Sequence, residues 1–204
     1  MPKRFLDHAY RLNGAQETQA HFDAWANTYD AELSDNGYAT PVRVAKALAE
    51  YCKDPNARIL DYGCGTGLSG EALQLAGFER IDGMDPNEKM IAKASVKGIY
   101  RTLTSFDPAG PSPIPPNTYK VITCIGVIGI GAAPASTIDR IMEALPQNGL
   151  FGLSLNDHAL SDPVYEPRLE DWVERDAARL LFKAYGAHLP GQNLFSNVYI
   201  LEKT

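Results

Sequence analysis

With 204 residues, 45% of them hydrophobic and 22% charged, the chain has the length and composition of one soluble globular domain able to bury a core. Its net charge of −6 argues against a nucleic-acid partner, because phosphate binding needs a concentrated basic surface. The longest apolar stretch, Val121 to Ala135, is broken by Gly126, Gly129, Gly131 and Pro134 and is too short to span a bilayer. Met1-Pro2-Lys3-Arg4 leads into Asp7, His8 and Arg11 rather than an apolar run, so no signal peptide is expected. Cys52, Cys64 and Cys124 are odd in number and widely spaced, which fits reduced thiols of a cytoplasmic protein. His8, His21 and His188 lack metal-ligand spacing, and no metal is expected.

In chain order, Ala20, Phe22, Ala24, Trp25, Tyr29 and Leu33 recur mostly at spacings of three and four, predicting one amphipathic helix over 17–33. Asp35-Asn36-Gly37 ends it with turn chemistry. Thr40 as N-cap and Pro41 at the first helical position start a second helix, with Val44, Ala45, Leu48 and Tyr51 on one side. Strands are then expected near 57–62, 79–84, 98–103, 119–125 and 149–155. Helices are expected near 67–76, 87–95, 135–144 and 166–182, the last with Asp171, Glu174, Arg175, Asp176 and Arg179 as a solvated face. This alternation implies parallel strands with helices on both faces. Pro108, Pro111, Pro113, Pro115 and Pro116 stiffen the loop before the fourth strand. Phe182–Leu189 and Phe195–Leu201 read as strands separated only by Pro190-Gly191-Gln192-Asn193, so the sheet should close with an antiparallel hairpin.

The chemistry gathers at Ile59-Leu60-Asp61-Tyr62-Gly63-Cys64-Gly65-Thr66-Gly67. Glycines there let the backbone turn sharply and approach a ligand. From Gly65 the run also satisfies G-x-G-x-x-G, and Asp85 follows at the distance of a ribose-binding acid, so a dinucleotide ligand is open on those features alone. Three details favour another ligand. Asp61 would repel a pyrophosphate and attract an ammonium group. The chain leaves little room for a second substrate domain. The sheet ends in a hairpin.

On these residues, the stretch 57–204 resembles the class I S-adenosylmethionine-dependent methyltransferases. The prefix His21-Phe22-Asp23-Ala24-Trp25-Ala26-Asn27-Thr28-Tyr29-Asp30, with Gly37-Tyr38-Ala39-Thr40-Pro41, is similar to the small Williams–Beuren-region methyltransferase-like proteins. The resemblance implies an α/β fold: a Rossmann-like seven-stranded mixed sheet of order 3-2-1-4-5-7-6, its last strand antiparallel, with helices on both faces. A helical lid over 1–53 and a cofactor-binding core over 57–204 would form one methyltransferase domain.

It implies S-adenosyl-L-methionine as cofactor, held by Asp61, Gly63, Cys64, Gly65, Gly67, Asp85, Pro86, Met90, Asp107, Cys124 and Ile125. In that scheme Asp61 faces the ammonium group, directly or through water. Asp85 accepts from both ribose hydroxyls. Pro86 and Met90 pack on the adenine, and Asp107 meets its amino group. Trp25, Tyr38 and Asn156 are expected on the substrate side, with His158, then Tyr29, as candidate general base. The expected activity is methyl transfer to a small molecule. A NAD-dependent oxidoreductase and a non-catalytic cofactor-binding module are the alternatives. The Asn/Asp-Pro-Pro-aromatic motif of amino-methylating enzymes is absent after the fourth strand, where Cys124-Ile125-Gly126-Val127 stands. No nucleic-acid or membrane partner is expected, and the chain is expected to act as a monomer or weak homodimer.

Overall fold

The computed structural model describes residues 5–12 and 14–204; the expectation about Met1 to Arg4 lies outside them. The N-terminal quarter is helical: Leu6–Ala9 (α1), Ala15–Trp25 (α2), Tyr29–Asp35 (α3) and Thr40–Tyr51 (α4). Strands and helices then alternate up to the third strand, which a loop joins to the fourth: Ile59–Tyr62 (β1), Leu68–Leu75 (α5), Ile81–Asp85 (β2), Glu88–Val96 (α6), Leu103–Ser105 (β3) and Val121–Cys124 (β4). Ser136–Ala144 (α7), Leu150–Asn156 (β5), Asp157–Leu160 (α8), Tyr165–Glu174 (α9), Ala178–Leu189 (β6) and Leu194–Lys203 (β7) complete the chain. Among the described residues no helix is long and apolar enough to cross a membrane.

The strands form one seven-stranded sheet of order β3-β2-β1-β4-β5-β7-β6. β1 pairs in parallel with β2 and β4, and β5 pairs in parallel with β4. β7 runs antiparallel between β5 and β6, as the short 190–193 connection demands. Every residue of β1, β2 and β4 is buried, the condition of central strands covered on both faces. Alternate side chains face opposite ways. Leu60, Tyr62, Ile122, Cys124, Phe151 and Leu153 pack with Ile138, Ile141 and Met142 of α7 and Leu169 and Trp172 of α9. Ile59, Ile81, Val121, Val198 and Ile200 pack with Val44 and Leu48 of α4 and Ala72 and Leu73 of α5. Trp25, Leu33, Leu6, Leu189 and Leu194 make a third cluster that joins the N-terminal helices to the hairpin end.

Four expectations need correction. The helix expected over 17–33 is two helices, parted at Ala26-Asn27-Thr28. Asn and Thr compete with helix through their own local hydrogen bonds. Trp25 and Tyr29 still meet edge to face across the break, at 4.5 Å between centroids, so the apolar periodicity ran on through it.

Thr40 is not the N-cap of α4; Ala39 is, and Thr40 Oγ1 instead lies 2.7 Å from His188 Nδ1 and 3.1 Å from Ser196 Oγ. The helix expected over 166–182 stops at Glu174. Asp176 there adopts a left-handed φ of 57°, while the Ala177 N–H donates to the Trp172 carbonyl and the Asp176 N–H to that of Val173. This is a Schellman stop with aspartate where glycine usually stands. Asp171 and Arg175 do pair across one turn, 3.6 Å apart, but Arg179 already belongs to β6. The third strand lies at Leu103–Ser105 rather than 98–103, because Gly98 and the chain after it lead Tyr100 beneath the glycine loop.

Candidate functional site

β1 ends at Tyr62, and the glycine loop carries the chain into α5. Gly65 has a φ of 53° and open space beyond its missing side chain, so the loop offers bare backbone to whatever lies above it. Two residues before Gly63, Asp61 follows the strand's alternation onto the α5 face and is completely buried. Its carboxylate accepts from Ser69 Oγ at 2.5 Å, Tyr100 Oη at 2.7 Å and Thr123 Oγ1 at 3.0 Å. Burial raises its pKa, and the three donors oppose the shift. The negative charge sits under the N-terminus of α5, where the helix dipole favours it.

Asp85 closes β2 on the same sheet edge. The Gly65 N–H donates to its Oδ2 at 2.8 Å and the Asn87 N–H to its Oδ1 at 2.8 Å. Each oxygen therefore keeps lone-pair capacity toward the open side. Burial pushes Asp85 up to about 6, and the backbone donors hold it from going further. Asn87 caps α6 through its carbonyl oxygen, which accepts from the Lys89 and Met90 N–H groups, each at 3.0 Å. Its amide nitrogen is then free to donate to Asp23 of α2, at 2.8 Å.

These loops line a cavity of about 470 Å³ at the carboxyl ends of the strands. An open α/β sheet binds its ligands at that edge. The N-terminal helices lie across it, tied down at three points. Thr18 Oγ1 donates to the Gly131 carbonyl at 3.3 Å. Asp23 holds Asn87 and lies 3.4 Å from Lys89 Nζ. Asp30 accepts from Thr66 Oγ1 at 2.5 Å and pairs with Lys97 at 2.8 Å. All three tethers end on the loops that form the cavity wall or beside them.

Of the residues marked in the sequence, Gly63, Cys64, Gly65, Asp85, Pro86, Met90, Ile125, Tyr29 and Tyr38 line this cavity. The Tyr29 and Tyr38 phenols are raised by burial and so stay protonated at neutral pH. Gly126 has a φ of 69° and no room for a side chain, because the Tyr38 hydroxyl occupies the place of its Cβ. The other marked residues lie elsewhere. Asp61 sits one layer beneath the wall, behind Ser69. Gly67 is the left-handed N-cap of α5. Cys124 is core, and burial pushes its thiol far up. Asp107 Oδ1 accepts from the Ala109 N–H at 2.9 Å, which folds it into a local turn outside the wall. Trp25 is in the cluster joining the N-terminal helices to the hairpin. Asn156 caps α8, and His158 is exposed with its ring 4.5 Å from that of Tyr10.

Four residues went unmarked. Tyr100 links Asp61 to α5: its hydroxyl also accepts from the Gly70 N–H at 3.2 Å. Its ring fills the room left by Gly70 and Gly83, so the last glycine of G-x-G-x-x-G serves Tyr100 rather than a ligand. Asn87 could have been read from its N-cap position just after Asp85. Arg140 of α7 lines the cavity beside Tyr62, and its charge opposes the rise that burial gives that phenol. His188, set aside for lack of metal spacing, is buried between Thr40 and Tyr10, and burial lowers it to about 4, which leaves it neutral.

Comparison with known proteins bears on the site. The family described as methyltransferase domain matches residues 35–194. Methyltransferase-like protein 27 of Homo sapiens is 30% identical over 158 residues, 76% of this chain and 63% of that protein. The ubiquinone biosynthesis O-methyltransferase of Bordetella pertussis is 32% identical over 108 residues, 48% of this chain and 43% of that protein. The chain thus spans less than two thirds of the length of these curated relatives. Among solved structures, a TehB-like SAM-dependent methyltransferase from Corynebacterium glutamicum superposes with a TM-score of 0.64 at 22% identity, covering 91% of this chain and 99% of that one. That likeness concerns the fold.

Proposed function

The chain belongs to the methyltransferase domain family, and from that premise we propose that it uses S-adenosyl-L-methionine to methylate a small-molecule acceptor. The observation that carries the reading is the pairing of a bare glycine loop with a half-satisfied carboxylate, Asp85, in the wall of one lidded cavity. When bound, the cofactor supplies a methyl group on a positively charged sulfur. Backbone at Gly63 and Gly65 would approach its amino-acid part, and Asp85 would accept from the ribose hydroxyls. Pro86 and Met90 would flank the adenine. Asp61 would act through Ser69, which stands between it and the cavity.

The chain's own part in the reaction is alignment and exclusion of water. Leu12, Phe22, Tyr29 and Tyr38 bring lid and prefix side chains into the wall, which Ile125 and Val127 also line. Tyr29 and Tyr38, held protonated, would orient an acceptor by hydrogen bonds. His158 lies off the cavity, so we place it outside the reaction and keep Tyr29 as the contacting residue of the two. The B. pertussis O-methyltransferase, named for ubiquinone biosynthesis, supports a small acceptor. Incubation with methyl-labelled cofactor and a panel of phenols, thiols and amines tests the proposal. Label transferred to a small acceptor supports it; tight cofactor binding without transfer to any member argues for a non-catalytic module.

A further inference from the structure

The adenine end of the cavity holds a group that the resemblance does not assign. Asp107, which the resemblance places on the adenine amine, spends its Oδ1 on the Ala109 N–H and is not in the wall. Nearby, Phe106 packs on Tyr62 with ring centroids 5.0 Å apart. Beside Tyr62 stands Arg140, which is half-buried and donates to the Gly110 carbonyl at 3.5 Å. Arg140 therefore stands with Phe106, Pro108 and Ala109 at one end of the cavity, on the side of Tyr62 and Asp85. Asp85 and Arg140 are the charged residues of the cavity wall among the described residues. A guanidinium is a donor only. Adenine offers unprotonated ring nitrogens as acceptors, and a purine packed beside Phe106, Pro86 and Met90 would turn one edge toward α7.

Resting on the cofactor reading above, we propose that Arg140, braced by the Gly110 carbonyl, reads the adenine by donating to one of its ring nitrogens, in place of the acid at 107. Arg140 is then a base-recognition residue of the donor site. Its fork cannot be reproduced by lysine, whose ammonium is a point charge on a flexible stem.

The test is titration calorimetry with S-adenosylhomocysteine and its 1-deaza, 3-deaza and 7-deaza analogues. Each ligand is titrated into the wild type, Arg140→Met and Arg140→Lys. The wild type should bind the parent compound and lose roughly ten- to hundredfold in affinity for one of the three analogues. Arg140→Met should bind the parent compound weakly and no longer distinguish it from that analogue. The ratio of two affinities within one variant does not depend on the fraction folded. Arg140→Lys should recover little of the discrimination. Unchanged affinity in Arg140→Met, or wild-type discrimination against every analogue in it, overturns the assignment and leaves the cofactor reading standing. Absence of binding by the wild type to all four compounds overturns both.

Discussion

Tyr100→Phe isolates one hydroxyl that holds the glycine loop, its acid and the following helix together. Gly67 caps α5 and has no side chain to satisfy the first N–H groups of the helix. One of these, on Gly70, donates to Tyr100 Oη, which in turn donates to Asp61. Removing the oxygen strands a part-buried N–H, at a cost of about 1–3 kcal/mol, and deletes a hydrogen bond to a charged group, worth about 1.5–3 kcal/mol. The two losses share one atom, so about 2–4 kcal/mol is expected. For a chain of this size that lowers the melting temperature by roughly 5–15 °C. The sign with pH follows from Asp61. The lost donor served its ionised form, so the penalty should shrink as acid protonates Asp61. Thermal and urea unfolding of wild type and variant, at neutral and mildly acid pH, measure both. A change under about 0.5 kcal/mol at neutral pH would refute the argument, because it would mean that neither partner depended on the hydroxyl.

Asp85 gives a pH prediction for ligand binding. Its folded pKa of about 6 lies above the ordinary 3.8, and only the carboxylate accepts from two hydroxyls. Affinity for S-adenosylhomocysteine should be flat above pH 7 and fall toward tenfold per pH unit below 6, by calorimetry; a flat profile down to pH 5 contradicts it. For folding the sign is opposite: the folded state holds this proton more tightly, so Asp85 favours the fold at pH below 3.8 and that contribution is lost as pH rises through about 6. Asp85→Ala should weaken the same ligand by about 1–3 kcal/mol, and equal affinity would show that the acid at 85 is misassigned. Asp30→Ala removes the tether to Thr66 and Lys97 and should speed ligand dissociation several-fold in stopped-flow fluorescence. Dissociation at the wild-type rate would mean that α3 does not gate the cavity.

The central parallel strands were legible in the sequence because they are short and punctuated by glycine and acids. β1, β2 and β4 are buried at every position, so their runs stand out without alternation. The hairpin was legible for a different reason: four residues cannot carry a parallel crossover. What escaped was decided by tertiary partners. Asp61 reads as a ligand-facing acid by its place in the motif. One step of strand alternation turns it onto α5, where Ser69, Tyr100 and Thr123 claim its oxygens. Tyr100 and Arg140 come to the site from loops and faces that bear no motif, and only folding sets them beside Gly70 and Tyr62. The end of α9 was missed because Asp176 takes a left-handed conformation that a glycine would have announced. His158 was chosen for its position after β5, and α8 turns its ring onto Tyr10 outside the cavity.

The ligand that the glycine loop and Asp85 hold decides what the cavity is for. Titration of the chain with S-adenosylmethionine, S-adenosylhomocysteine and NAD, under one set of conditions at pH 7.5, identifies that ligand most directly. Micromolar or tighter binding of the two sulfur nucleosides is expected, and none of NAD. Binding of NAD at that level, with neither sulfur nucleoside bound, would contradict the cofactor reading.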